Sequence, residues 1–98
     1  MQNFALMVEY KIEEKHREEY LKLLGQLRLL YSGLQLYEGS EQPGLFVEIW
    51  PVASEEEAAA CKEERLDGRS PWKPVSGWTV GGPDRIHAWT FKPILPLT

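Results

Sequence analysis

The stretch Leu34 to Glu57, LQLYEGSEQPGLFVEIWPVASEEE, decides the fold. Leu34 to Glu38 and Leu45 to Trp50 are short runs rich in apolar and aromatic residues. Between them, Gly39-Ser40-Glu41-Gln42-Pro43-Gly44 supplies the dihedrals that a chain reversal needs, so the two runs read as a hairpin. After Pro51, Ser54-Glu55-Glu56-Glu57 has the spacing of a capping box: Ser54 accepts the backbone N–H of Glu57, and the Glu57 side chain turns back to Ser54. The stretch is strand, turn, strand and helix start.

Working outward, Phe4 to Ile12 alternates with period two and places Phe4, Leu6, Val8, Tyr10 and Ile12 on one face of a first strand. From Glu13 the period lengthens. His16, Tyr20, Leu23, Leu24, Leu27, Leu30 and Tyr31 recur at helical spacing, glutamates crowd the first turns where the helix dipole favours them, and Ser32-Gly33 ends the helix. On the other side, the helix begun at Ser54 runs to about Asp67-Gly68 with a face of Ala58, Ala59, Ala60, Cys61 and Leu66, small groups suited to close packing on a sheet. Ser70-Pro71-Trp72 starts a short extra turn that Pro74 limits. Arg85 to Phe91 reads as a fourth strand, and Pro93-Ile94-Leu95-Pro96 as an extended tail.

The order is βαββαβ, which folds as a ferredoxin-like α+β domain spanning 1–98: a four-stranded antiparallel sheet with both helices on one face. The other face predicts a partner. Its residues, taken as Ala5 with Met7, Phe46 with Trp50 and half of strand four, include large apolar groups. At about 25 cal/mol per Å² of buried apolar surface, leaving them wet forgoes several kcal/mol, which a chain of 98 residues can ill spare. A second copy packed sheet on sheet is the simplest cover, so a homodimer is expected.

Charge and composition narrow the function. The net charge is −4 and Lys and Arg are scattered, which argues against nucleic acid and anionic membranes as partners. No apolar run approaches the roughly 20 residues of a membrane span, and the beginning of the sequence lacks the pattern of a signal peptide. One cysteine, Cys61, allows no internal disulfide and no multi-cysteine zinc site, and suits the cytoplasm. No metal or cofactor is expected: His16 with Glu13 or Glu19 lacks a third ligand, and Gly81-Gly82 precedes a strand with no helix after it.

Two groups of residues carry candidate chemistry. Glu9, Glu48 and His87 lie on strands one, three and four, which the ferredoxin-like order makes neighbours. On one face they form an acid/base set for proton abstraction; the alternative is a cluster of salt bridges with Lys11 and Arg85. His16 and Tyr20, one turn apart on helix one, and Trp72 and Trp78, in the loop after helix two, are candidates to line a ligand pocket. Aromatic walls with a few polar groups suit a planar, largely apolar molecule; the alternative is a lid that completes a small core. Leu21 and Leu29, off the main stripe of helix one, suggest a further contact along that helix.

On the pieces Phe46-Val47-Glu48-Ile49-Trp50 and Ser54-Glu55-Glu56-Glu57-Ala58, and on element order from Phe4 to Phe91, the chain resembles the dimeric α+β barrel superfamily of antibiotic biosynthesis monooxygenase-like proteins. The resemblance implies a dimer with a ligand gap between helices and sheet. It also implies a choice among cofactor-free oxygenation, haem degradation, other chemistries and no catalysis at all. In the haem-degrading branch Asn3 matches an asparagine near the start of strand one. The tryptophan of helix two and the histidine after it have no counterpart, since Ala59-Ala60-Cys61 and Arg69-Ser70 stand there. The resemblance therefore points to a small-molecule-binding protein, with cofactor-independent oxygenation using His87 or Glu9 as base on one reading and a non-catalytic ligand-binding or assembly module on the other.

Overall fold

The computed structural model describes residues 4–94, so Asn3 and the end of the tail lie outside it. Strands β1 (Phe4–Lys11), β2 (Gln35–Glu38), β3 (Leu45–Val52) and β4 (His87–Phe91) form one antiparallel sheet in the order β2-β3-β1-β4. Helix α1 (Arg17–Leu27) lies between β1 and β2, and α2 (Glu55–Leu66) between β3 and β4, and this is the ferredoxin-like α+β arrangement.

The register fixes which residues meet the helices. Leu6 pairs with Trp50, Val8 with Glu48 and Tyr10 with Phe46, so these six share one face, and all six are buried. Phe46 and Trp50 therefore face the core and not the open side, which corrects the assignment made from the sequence. The open face carries Leu45, Val47 and Ile49 of β3 beside Ala5 and Met7 of β1. To these β4 adds His87, Trp89 and Phe91, and β2 adds Tyr37. Trp89, Phe91 and Tyr37 are 45%, 50% and 55% exposed, so the open side is indeed rich in large apolar groups.

β3 runs on to Val52, through Pro51. A proline is tolerated there because β2 begins only at Gln35, opposite Ile49, so no ladder partner awaits a donor from residue 51. Gly33, just before β2, passes close by with φ +82°, and a side chain on it would stand 3.0 Å from Pro51 Cγ.

The helices depart from expectation at their ends and faces. A 3₁₀ turn, Glu14–His16, precedes α1, and i−3 bonds from Leu29 to Gln26 and from Leu30 to Leu27 close it. That tightening turns Leu30 off the apolar stripe, and it is exposed. At the start of α2, Ser54 Oγ accepts the Glu57 N–H at 3.1 Å, while the Glu57 carboxylate accepts the N–H of Ala53, one residue before the cap. The face of α2 that meets the sheet holds Ala58 and Arg65, whereas Ala59, Ala60 and Leu66 are exposed. Pro74 does not stop the chain from coiling: it sits in the first turn of a short helix α3, Lys73–Trp78, where its missing N–H costs nothing.

Candidate functional site

Glu48 is the organising residue of the interior. It is 0% exposed, and its two oxygens accept four hydrogen bonds. Arg65 reaches it from α2 through Nε to Oε1 at 2.7 Å and Nη2 to Oε2 at 2.5 Å. Trp50 Nε1, two residues along β3, donates to Oε1 at 2.9 Å, and Tyr10 Oη, from β1, donates to Oε2 at 2.5 Å. The Tyr10 proton being so used, Tyr20 Oη is the donor in the 2.8 Å contact between the two phenols. A dry carboxylate is tolerable only when paired and fully hydrogen-bonded, and this one is both.

The surroundings set the titration of the partners. Burial pushes Tyr10 well above the usual phenol range, and the Glu48 carboxylate adds to the shift. Burial raises Tyr20 likewise. For Arg65 burial works against the charge, yet the bonds to Glu48 more than offset it and the guanidinium is held above its ordinary value. The same guanidinium lies 4.4 Å from the centre of the Trp72 ring, so Arg65 is clamped between a carboxylate and an indole face.

Arg65, Trp50 and Trp72 also form part of the wall of a cavity of about 290 Å³ between the end of α1, β3, α2 and the loop that follows it. Tyr31 completes the aromatic side: its ring meets Trp50 edge-on with centroids 4.9 Å apart, and Trp50 meets Trp72 at 5.5 Å. Ser70 contributes a hydroxyl whose oxygen accepts the Trp72 backbone N–H at 3.0 Å. Trp72 Nε1 is buried without a hydrogen-bond partner among the described residues. Cys61 is on the lining as a protonated thiol, raised by burial and by the neighbouring Glu64 carboxylate.

The seven residues singled out in the sequence fall in four places. Glu9 and His87 are direct cross-strand partners on the open face, but Glu48, which pairs with Val8, is on the opposite face. The sheet therefore separates the proposed set of three, because Glu48 is one residue out of phase with Glu9 in the β1–β3 register. His16 stacks on Trp78 with centroids 6.0 Å apart and holds Glu19 at 3.0 Å; this pair is away from the cavity. Tyr20 is inside the core, and Trp72 alone of the seven lines the cavity. Tyr31, Trp50 and Arg65 were not singled out. The spacing of Ala58, Cys61 and Arg65, three and then four residues, carried the signal for the last of these.

Among the described residues no group of three His, Cys, Asp or Glu side chains is placed to hold a metal ion, and no helix is long and apolar enough to cross a membrane.

Known structures share the architecture. A candidate antibiotic biosynthesis monooxygenase from Bordetella bronchiseptica superposes with a TM-score of 0.74 at 11% identity, over 97% of this chain and 100% of that one. A NIPSNAP family protein from Agrobacterium tumefaciens gives 0.67 at 16% identity over 95% and 87%. A conserved protein from Methanosarcina mazei gives 0.63 at 12% over 96% and 95%. At such identities the likeness is one of fold. No family model matches the chain, and no curated protein does either.

Proposed function

We propose that this protein is a homodimer that binds a small, largely apolar aromatic molecule in the cavity walled by Tyr31, Trp50 and Trp72. The observation that carries the reading is the rigid construction of that wall. Two of its residues, Trp50 and Arg65, are tied to one buried carboxylate, so the cavity is preformed and needs no reordering to accept a flat ring. The dimer rests on the open face: Trp89, Phe91, Tyr37, Met7 and Ile49 make an apolar surface that a second copy would cover. A likeness in fold to a candidate monooxygenase adds oxygenation as a second reading. Binding is favoured over it because Glu9 and His87, the candidate bases, stand across the sheet from the cavity. The unpaired Cys61 suits a cytoplasmic protein.

A native mass spectrum of the protein purified without added ligand tests the proposal. The expected result is a dimer carrying a reproducible small extra mass that is lost on Trp72→Ala. A stable monomer would remove the dimer, and an unliganded protein that fails to take up naphthalene derivatives would remove the ligand site.

A further inference from the structure

The reading of the cavity as a ligand site leaves the charge of the ligand open, and a residue that does not touch the cavity decides it. Glu48 is absent from the lining, but both its oxygens are spent on the Arg65 guanidinium, which is on it. The other guanidinium of the lining, Arg69, is 92% exposed and paired with Asp67 at 3.3 Å, so water and that carboxylate both weaken its pull on an anion. Glu64 adds a carboxylate that forms no salt bridge among the described residues. Three carboxylates, Glu48, Glu64 and Asp67, thus stand against two guanidiniums, and no positive charge is left over for an anion. What the wall offers instead are neutral groups: the Ser70 hydroxyl, whose proton is not used by the Trp72 amide it serves, and the phenol of Tyr31. The volume, about 290 Å³, is at the small end of ligand pockets and suits one or two rings.

We propose that the cavity takes an uncharged aromatic carbonyl compound of one or two rings and rejects the matching carboxylate, and that Glu48 sets this preference by cancelling Arg65. Glu48 is a positioning and specificity residue; the groups that touch the ligand are on the aromatic wall. The inference rests on the ligand-site reading above.

Equilibrium dialysis of the full chain at pH 7 and low ionic strength against 2-acetylnaphthalene and 2-naphthoate tests it, since the two probes are close in shape and differ by one charge. The ketone is expected to bind at least about tenfold tighter. Glu48→Gln exposes the Arg65 charge and is expected to shift the ratio toward naphthoate by about tenfold or more. The double variant Glu48→Leu/Arg65→Met removes both charges together, leaves no buried ion behind, and keeps the ketone preference within about threefold. That variant tests the cancellation even where Glu48→Gln does not fold. Equal binding of the two probes, preference for naphthoate, or a folded Glu48→Gln protein with an unchanged ratio overturns the proposal while the cavity remains a ligand site. Failure of both probes to bind removes the ligand site itself.

Discussion

Trp50 and Arg65, from a strand and a helix, converge on one oxygen atom: both donate to Glu48 Oε1, at 2.9 and 2.7 Å. The contact between α2 and the sheet is therefore polar at its centre and aromatic around it, with Trp72 covering the guanidinium. Replacing one member of such a buried pair leaves the other charge uncompensated. Glu48→Leu is expected to cost about 3–5 kcal/mol, and the double variant Glu48→Leu/Arg65→Met to recover most of that loss. Urea denaturation of the two variants against the parent measures the difference.

The phenols divide unequally. Tyr10→Phe removes a donor to Glu48 and leaves the Tyr20 hydroxyl without its acceptor, whereas Tyr20→Phe leaves the Tyr10 bond to Glu48 in place. Tyr10→Phe is expected to cost about 1–3 kcal/mol and Tyr20→Phe about 1 kcal/mol or less. The same denaturation experiment ranks them.

Alkaline pH acts through those groups. Both phenols are raised in the folded chain above their ordinary value of 10.0, so above that pH the unfolded chain loses protons that the folded chain keeps. Stability from this source is complete below pH 10 and falls as pH rises from there toward the folded values. Thermal melts between neutral pH and pH 11 are expected to show the decline, and Tyr20→Phe to make it shallower.

Acid acts elsewhere. Arg17, bonded to Glu38 at 2.6 and 2.7 Å, and the Gly44 N–H hold the Glu38 carboxyl at about 2 instead of 4.5. This contribution is present above pH 4.5 and is lost as pH falls through about 2. In a carbon-detected titration, Arg17→Ala is expected to move Glu38 back toward its ordinary value. Gly44 keeps it from returning fully. An unchanged midpoint would show that Arg17 is not the main cause.

The open face gives a prediction about assembly. Trp89→Asp places a charge on this face, on the edge strand β4 beside Met7, its cross-strand partner. It is expected to raise the dissociation constant of the proposed dimer by about two orders of magnitude while leaving the fold intact. Sedimentation velocity over a range of concentrations reads the change. Leu29→Glu, at a residue 80% exposed just past the end of α1, serves as the comparison and tests whether that helix makes a second contact.

Much of this molecule was legible in its sequence. The hairpin, the Ser54 cap and the inward set of β1 follow from turn chemistry and periodicity, which act locally. The facing of β3 was harder, because Phe46, Val47, Ile49 and Trp50 are apolar on both sides of the strand and Glu48 breaks the pattern with a charge that ordinarily points to water. Arg65 misleads in the same way on α2. Each residue alone reads as solvated; only the tertiary pairing of the two makes burial possible, and pairing across 17 residues leaves no local trace. The separation of Glu48 from Glu9 and His87 is a matter of a single step in register, which a spacing of strands along the chain does not specify.

The meeting of Gly33 and Pro51 has a consequence for behaviour at high concentration. β3 extends past the end of β2, and so presents a short stretch of bare strand at that corner of the sheet. The donor that would point outward there belongs to residue 51, and proline has none to offer. A strand from another molecule that tried to extend the sheet would find no ladder to join, and Gly33 already occupies the approach. The protein can thus keep a wide apolar face and still resist edge-to-edge polymerisation at this corner.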